Sequence, residues 1–195
     1  MPADTEQTRV FIVEDEQSLA DLYEVWLTDE YDTQVAYSGD VALEAIANHG
    51  IDVVLLDRRM PGLSGDEVAN RLDENGCDAQ VIMVTAVSPS PEMAALPIND
   101  YIQKPVEREQ LLSIVETAAL VRTYDDDITE LLALTARRQA LEEAVPTDEL
   151  ETSEEFDRLA SRIDQLQDSM DDTMEKLWLH SDTNVFERIA GQIDR

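Results

Sequence analysis

Residues 53–65 read Val-Val-Leu-Leu-Asp-Arg-Arg-Met-Pro-Gly-Leu-Ser-Gly, so four aliphatic residues run straight into the carboxylate of Asp57. The aliphatic run has the pattern of a fully buried strand, and Pro61-Gly62 ends it. A carboxylate at that place is costly unless a cation or hydrogen-bond donors hold it. Other chemically able groups sit at equivalent places. The apolar run at 9–14 ends on Glu14-Asp15-Glu16, the run at 79–86 on Thr85-Ala86, and the run at 100–104 on Lys104-Pro105. Grouped carboxylates suit a hard cation such as Mg²⁺, which takes one or two of them with water and a phosphate. Lysine offers compact positive charge to a phosphoryl group. Taken singly, each residue has a plain structural reading: acids favour the start of a following helix, and Thr or Lys-Pro at a strand end is ordinary. Their conjunction at the ends of four strands points to a site.

The elements that must position these groups alternate along the first half of the chain. Strands are predicted at 9–14, 33–37, 51–57, 79–86 and 100–104. Helices are predicted at 16–30, with Leu19, Leu22, Tyr23, Trp26 and Leu27 on one face, at 40–50 closed by Gly50, at 64–76 stopped by Asn75-Gly76, and at 108–121. Strands that are apolar throughout and alternate with helices predict an α/β fold, a five-stranded parallel sheet covered on both faces. In such sheets ligands gather beyond the carboxyl ends of the strands.

Four stretches, Val13-Glu14-Asp15, LLDRRMPGLSG (55–65), Val84-Thr85-Ala86 and DYIQKP (100–105), occur in this order within residues 9 to about 121. Together they resemble the receiver domain of two-component response regulators. The resemblance implies a doubly wound, flavodoxin-like fold and a phosphotransfer switch. Asp57 would accept a phosphoryl group from a sensor histidine kinase. Glu14 and Asp15 would form the acidic pair, with Asp15 the more direct Mg²⁺ ligand, and the backbone carbonyl of Arg59 would also touch the metal. Thr85 would hydrogen-bond the phosphoryl oxygens in the active state, Tyr101 would rotate with it, and Lys104 would ion-pair the phosphoryl group. The Lys104–Pro105 bond is a candidate for cis. Such a protein phosphorylates itself and turns over no metabolite.

Two features depart from that pattern. The segment between Thr85 and Lys104 is short and holds Pro89, Pro91 and Pro97, so the fourth helix is expected to be short or irregular. Arg58 and Arg59 directly follow the acceptor. Arg59 is expected to lean over the phosphoryl group and slow attack by water; the alternative is that both arginines only balance local acidity. PGLSG lacks the spacing and the Lys-Ser/Thr of a P-loop.

Past Val121 the strand signals vanish. Tyr124, Ile128, Leu131, Leu134, Leu141 and Val145 mark one helical run, which Pro146 stops. A second run carries Phe156, Leu159, Ile163, Leu166, Met170 and Leu177 at three-four spacing, with Thr173 the polar break and Thr152 and Glu155 placed as a capping box. The short connection predicts an antiparallel coiled-coil hairpin, with a last helix at 185–193. Asp125–Asp127 either cap a new helix or lie on a solvated face, so continuity with the helix ending near Val121 is open. VRTYDDDITELLALTARRQALE and SEEFDRLASRIDQL, with PINDYIQKP in the first half, resemble the HalX domain, which follows receivers in haloarchaea and has no established activity. The expected division is a tail at 1–8, a receiver at 9–121 and a HalX-like output domain at 122–195.

Charge limits the partners. The 195 residues carry 44 Asp/Glu against 14 Lys/Arg, a net charge of −30, and both halves share the excess: 22 acids against 5 bases in 1–107, and 22 against 9 in 108–195. Only two of the bases are lysines, Lys104 and Lys176. This composition resembles that of proteins from salt-loving archaea, an ordinary acidic protein being the alternative. Phosphates repel such a surface, and the second half has neither a basic stripe nor a helix-turn-helix pattern. Nucleic acid is therefore an unfavoured partner, and DNA binding is the lesser alternative to protein interaction or homodimerisation through the receiver or the helical domain. Cys77 has no partner for an internal disulfide, and with only His49 and His180 beside it a zinc site is not favoured. Neither His180 nor Ser181 has an acid–base partner in view. The polar N-terminus and the lack of a long apolar run predict no membrane segment and a cytoplasmic protein.

Overall fold

The computed structural model describes residues 7–47, 50–87 and 91–180. The chain divides into two compact units between Ala119 and Leu120.

The first unit holds strands β1 (Arg9–Val13), β2 (Asp32–Ala36), β3 (Val53–Asp57), β4 (Gln80–Thr85) and β5 (Asp100–Gln103), all parallel and ordered β2-β1-β3-β4-β5. This is the doubly wound order with its reversal between β1 and β3. Side chains alternate across the pleat and fill two cores. On one face Val13, Val54, Leu56 and Met83 pack against α2 (Gly39–Ile46) and α3 (Gly65–Glu74). On the other, Ile12, Leu55, Ile82 and Ile102 pack against α1 (Gln17–Leu27) and the first turns of α4 (Arg108–Ala144) through Leu111, Val115 and Ala118. β3 and β4 are buried along their whole length, which is why their sequences show no alternation.

Several helix limits differ from the sequence-based expectation. α1 ends at Leu27, not at residue 30; Asp29 and Glu30 would lie at the negative end of the helix dipole. Its buried stripe is Ala20, Tyr23 and Leu27, while Leu22 is exposed. α2 ends at Ile46, its last turn closed by the Ala47 N–H on Leu43, so Gly50 lies beyond it. Between β4 and β5, where a short fourth helix is expected, the described residues hold a 3-10 turn, Pro91–Ala95, with Met93 buried beneath.

In the second unit α4 continues without interruption through Tyr124–Asp127 to Ala144, so the three aspartates cap nothing. A short helix α5 (Thr147–Leu150) follows Pro146, and α6 spans Glu154–His180. Val121 packs with Leu177, Asp127 accepts a hydrogen bond from Ser169, and Glu130 pairs with Arg162 at 2.7 Å. Rising numbers on α4 meet falling numbers on α6, so the hairpin is antiparallel. Its seam holds Leu159, Ile163, Leu166, Thr173 and Leu177, all buried. The capping box expected at Thr152 and Glu155 does not form, and a single hydroxyl cap stands one residue later. Thr152 donates instead to the carbonyls of Asp148 and Glu149 at the end of α5, and the Ser153 hydroxyl caps α6 by accepting from Phe156 N–H. The last helix expected at 185–193 lies outside the described residues.

Candidate functional site

The strand order reverses between β1 and β3, and the crevice beyond their carboxyl ends is where such folds hold ligands. Glu14 directly follows β1 and its N–H bonds Ala36 of β2. Asp57 is the last residue of β3, opposite Val84 of β4. Both are buried, with 2% and 6% of their surface exposed. Lys104 follows β5, where its N–H is held by the Thr85 carbonyl at 2.8 Å. Its Nζ lies 2.7 Å from Glu14 Oε2 and 3.0 Å from Asp57 Oδ1. Asp15 is exposed, and one carboxylate oxygen from each of Glu14, Asp15 and Asp57 falls within 4.8 Å of the others.

One ammonium therefore serves two buried acids with a third beside them. Burial raises the carboxyl pKa of both Glu14 and Asp57; the Lys104 hydrogen bonds act against this without offsetting it. At Lys104 the balance reverses. Burial alone would lower its pKa, but its bonds to Glu14 and Asp57 together raise it. The pocket is short of positive charge, and a hard divalent cation on oxygen ligands is what this donor set fits.

The remaining expected residues lie as follows. Thr85 is buried at the end of β4, and its Oγ1 accepts from Val87 N–H at 3.0 Å. Tyr101 sits on the edge strand β5 and is 43% exposed. The Lys104–Pro105 peptide is cis. The two arginines separate: Arg58 forks onto Asp66 of α3 at 3.0 and 3.1 Å, while Arg59 is exposed. Local acidity thus engages Arg58.

Sequence reasoning missed two supports. Gly65 opens α3 against the acceptor loop, its N–H bonding the Arg58 carbonyl at 3.0 Å. A Cβ there would strike the Asp57 carbonyl oxygen and lie 2.8 Å from Arg58 Cα. The second support is a capping box in which Ser64 and Glu67 exchange side-chain bonds with each other's backbone N–H. That box was legible as Ser-x-x-Glu before an apolar run; the Gly65 approach was not.

Residues 10–116 match the family model of the response regulator receiver domain, and residues 120–188 match that of the HalX domain. The chain belongs to the response regulators. It is similar to the response regulator ArlR of Staphylococcus aureus, at 32% identity over 157 residues, 78% of this chain and 71% of that one. A longer Haloferax volcanii protein, provisionally named a transcriptional regulator, is 35% identical over 156 residues, 80% of this chain. This response regulator spans only 26% of that relative's length. Among solved structures, the response regulator TrrA of Thermotoga maritima, in complex with Mg²⁺ and beryllofluoride, matches with a TM-score of 0.52 and 30% identity, over 57% of this chain and 98% of that one. The five-stranded sheet and the rim of Glu14, Asp15, Asp57 and Lys104 are thus set in a receiver fold. Among the described residues no helix is long and apolar enough to cross a membrane.

Proposed function

We propose that Asp57 is the phosphoryl acceptor of this response regulator, with a sensor histidine kinase as donor and Mg²⁺ as cofactor. The observation that carries this is the convergence of three carboxylates on one rim, two of them buried, with a single lysine forked between those two. A carboxylate oxygen of Asp57 attacks phosphorus, the nitrogen–phosphorus bond of the donor histidine breaks, and an acyl phosphate forms. A carboxylate nucleophile needs charge neutralisation more than proton transfer. Asp15, Asp57, Glu14 and the Arg59 carbonyl would hold the metal, which when bound supplies that neutralisation. Lys104 Nζ, already on Asp57, moves to a phosphoryl oxygen as the acid is phosphorylated. The Thr85 hydroxyl exchanges its bond from Val87 N–H for one to the phosphoryl group, and Tyr101 follows it inward from the surface. Arg59, unlike Arg58, is exposed beside the acceptor and lies over the product, shielding it from water. The receiver is read as 9–121 and the helical domain as 122–195, within two residues of the division at Ala119–Leu120; most of the tail expected at 1–8 lies outside the described residues, and the protein works in the cytoplasm.

The test is direct. With acetyl phosphate or beryllofluoride and Mg²⁺ in molar KCl, intact-protein mass spectrometry and ¹⁹F spectroscopy should show one adduct, absent in Asp57→Asn. An adduct that survives this substitution, or no adduct in the parent, contradicts the assignment. Arg59→Asn should lose the phosphoryl group faster than the parent.

For output, the helical unit is read as a protein-interaction module. Its described part is an antiparallel hairpin, and residues 108–195 hold 22 acids against 9 bases. A gel shift at high salt that retards DNA in a phosphorylation-dependent way would replace this reading.

A further inference from the structure

A groove of ≈610 Å³ opens in the helical unit near the turn of the hairpin. Its apolar wall is Leu134, Leu141 and Val145 of α4, Leu150 of α5, and Phe156 and Leu159 of α6. Its charged lining is Arg137, Arg158 and Arg162 with Glu149 and Glu155. Arg158 pairs with Glu154 and Arg162 with Glu130, whereas Arg137 makes no ion pair among the described residues. With Arg158 and Arg162 already engaged by glutamates, Arg137 is the lining's available cation. Such a lining favours an occupant that carries an acid among apolar residues.

The chain contains a segment of that chemistry. Residues 185–193 read Val-Phe-Glu-Arg-Ile-Ala-Gly-Gln-Ile, with Val185, Phe186, Ile189, Ala190 and Ile193 at three-four spacing and Glu187 between them. Before them, Trp178 and Leu179 at the end of α6 are 61% and 79% exposed. Phe186 and Glu187 cannot reach the groove of their own copy. Leu159 stands 21 residues before His180 on one continuous helix, a separation of about 31 Å at ~1.5 Å per residue. Phe186 follows His180 by six residues, and even fully extended chain covers only about 20 Å in that distance.

We propose that the C-terminal segment of one copy, Trp178–Ile193, docks in the hairpin groove of a second copy, with Phe186 and Ile189 on the apolar wall and Glu187 on Arg137. Two hairpins lying antiparallel bring each end of α6 beside the other copy's groove, so the contact occurs twice and the assembly closes as a two-fold dimer. This does not depend on Asp57 chemistry.

The test uses the full chain in molar KCl. Light scattering should give a dimer, and Phe186→Glu should raise its dissociation constant by about thirtyfold, the effect of a central aromatic anchor. Arg137→Glu should weaken the dimer, and Arg137→Glu with Glu187→Arg should restore it. In a Cys77→Ser background, chains carrying Arg137→Cys mixed with chains carrying Glu187→Cys should form a disulfide-linked heterodimer. A monomeric parent, a dimer indifferent to Phe186→Glu, or an intrachain link in a monomer carrying both cysteines would each overturn the proposal.

Discussion

Lys104 divides one ammonium between Glu14 and Asp57, at 2.7 and 3.0 Å, and the consequence is a pH dependence of stability. Burial raises the pKa of both acids, so each holds its proton more tightly folded than unfolded. The stability this brings is complete below the ordinary carboxylate range and is lost as pH rises through the raised values. Without metal, ionisation of the two acids above those raised values opposes folding. Asp57→Asn is therefore expected to melt above the parent at pH 7 in EDTA. The gap should narrow toward pH 4 and on adding Mg²⁺ to the parent. Differential scanning fluorimetry across pH, with and without Mg²⁺, checks both trends. Gly65 carries a second prediction at this scale. Because a Cβ there meets the backbone of Asp57 and Arg58, Gly65→Ala should cost about 1–3 kcal/mol, as overpacking does. It should also slow acyl-phosphate formation by displacing the acceptor. Urea titration and a phosphorylation time course measure the two effects.

Among the elements, α6 shows how a heptad pattern becomes a seam. Leu159, Ile163, Leu166, Thr173 and Leu177 are buried while the positions between them are mostly exposed. Leu166 is 1% exposed, and Leu166→Ala should cost about 2–5 kcal/mol through lost transfer energy and the cavity left behind. The loss should fall on unfolding of the helical unit, followed by circular dichroism at 222 nm, and leave the beryllofluoride adduct unchanged. α3 is set differently. Its apolar face is short, and its start is determined by the Ser64–Glu67 box and the Arg58–Asp66 pair. It is thus tied to the loop that carries the acceptor.

For the whole molecule, charge dominates. With 44 acids against 14 bases, self-repulsion opposes the compact state wherever screening is weak. The screening length is about 10 Å at 0.1 M salt and about 3 Å at 1 M. The melting temperature should therefore rise steadily with KCl from 0.1 to 3 M, measured by circular dichroism. A flat response would place this chain with ordinary acidic proteins. The arginine-bearing groove of the helical unit stands out against the acidic background, which is why it, and not a receiver face, carries the dimer proposed above.

The sequence by itself determined the kinds and order of the elements, the parallel sheet, and the residues brought to its rim. Hydrophobic period and turn residues are local signals, and a strand's last residue is determined by where its apolar run stops. In a parallel sheet every such end points the same way, so Glu14, Asp57, Thr85 and Lys104 could be assembled without coordinates. Helix limits were less legible, because the end of α1 and the cap of α6 depend on a few competing hydrogen bonds. Only the tertiary structure decided how Lys104 forks between two acids, which arginine is drawn to Asp66, why a side chain at residue 65 is costly, and that α4 runs on through three aspartates. Each is a matter of through-space distance between parts of the chain that meet only on folding, and no local pattern of residues carries that distance.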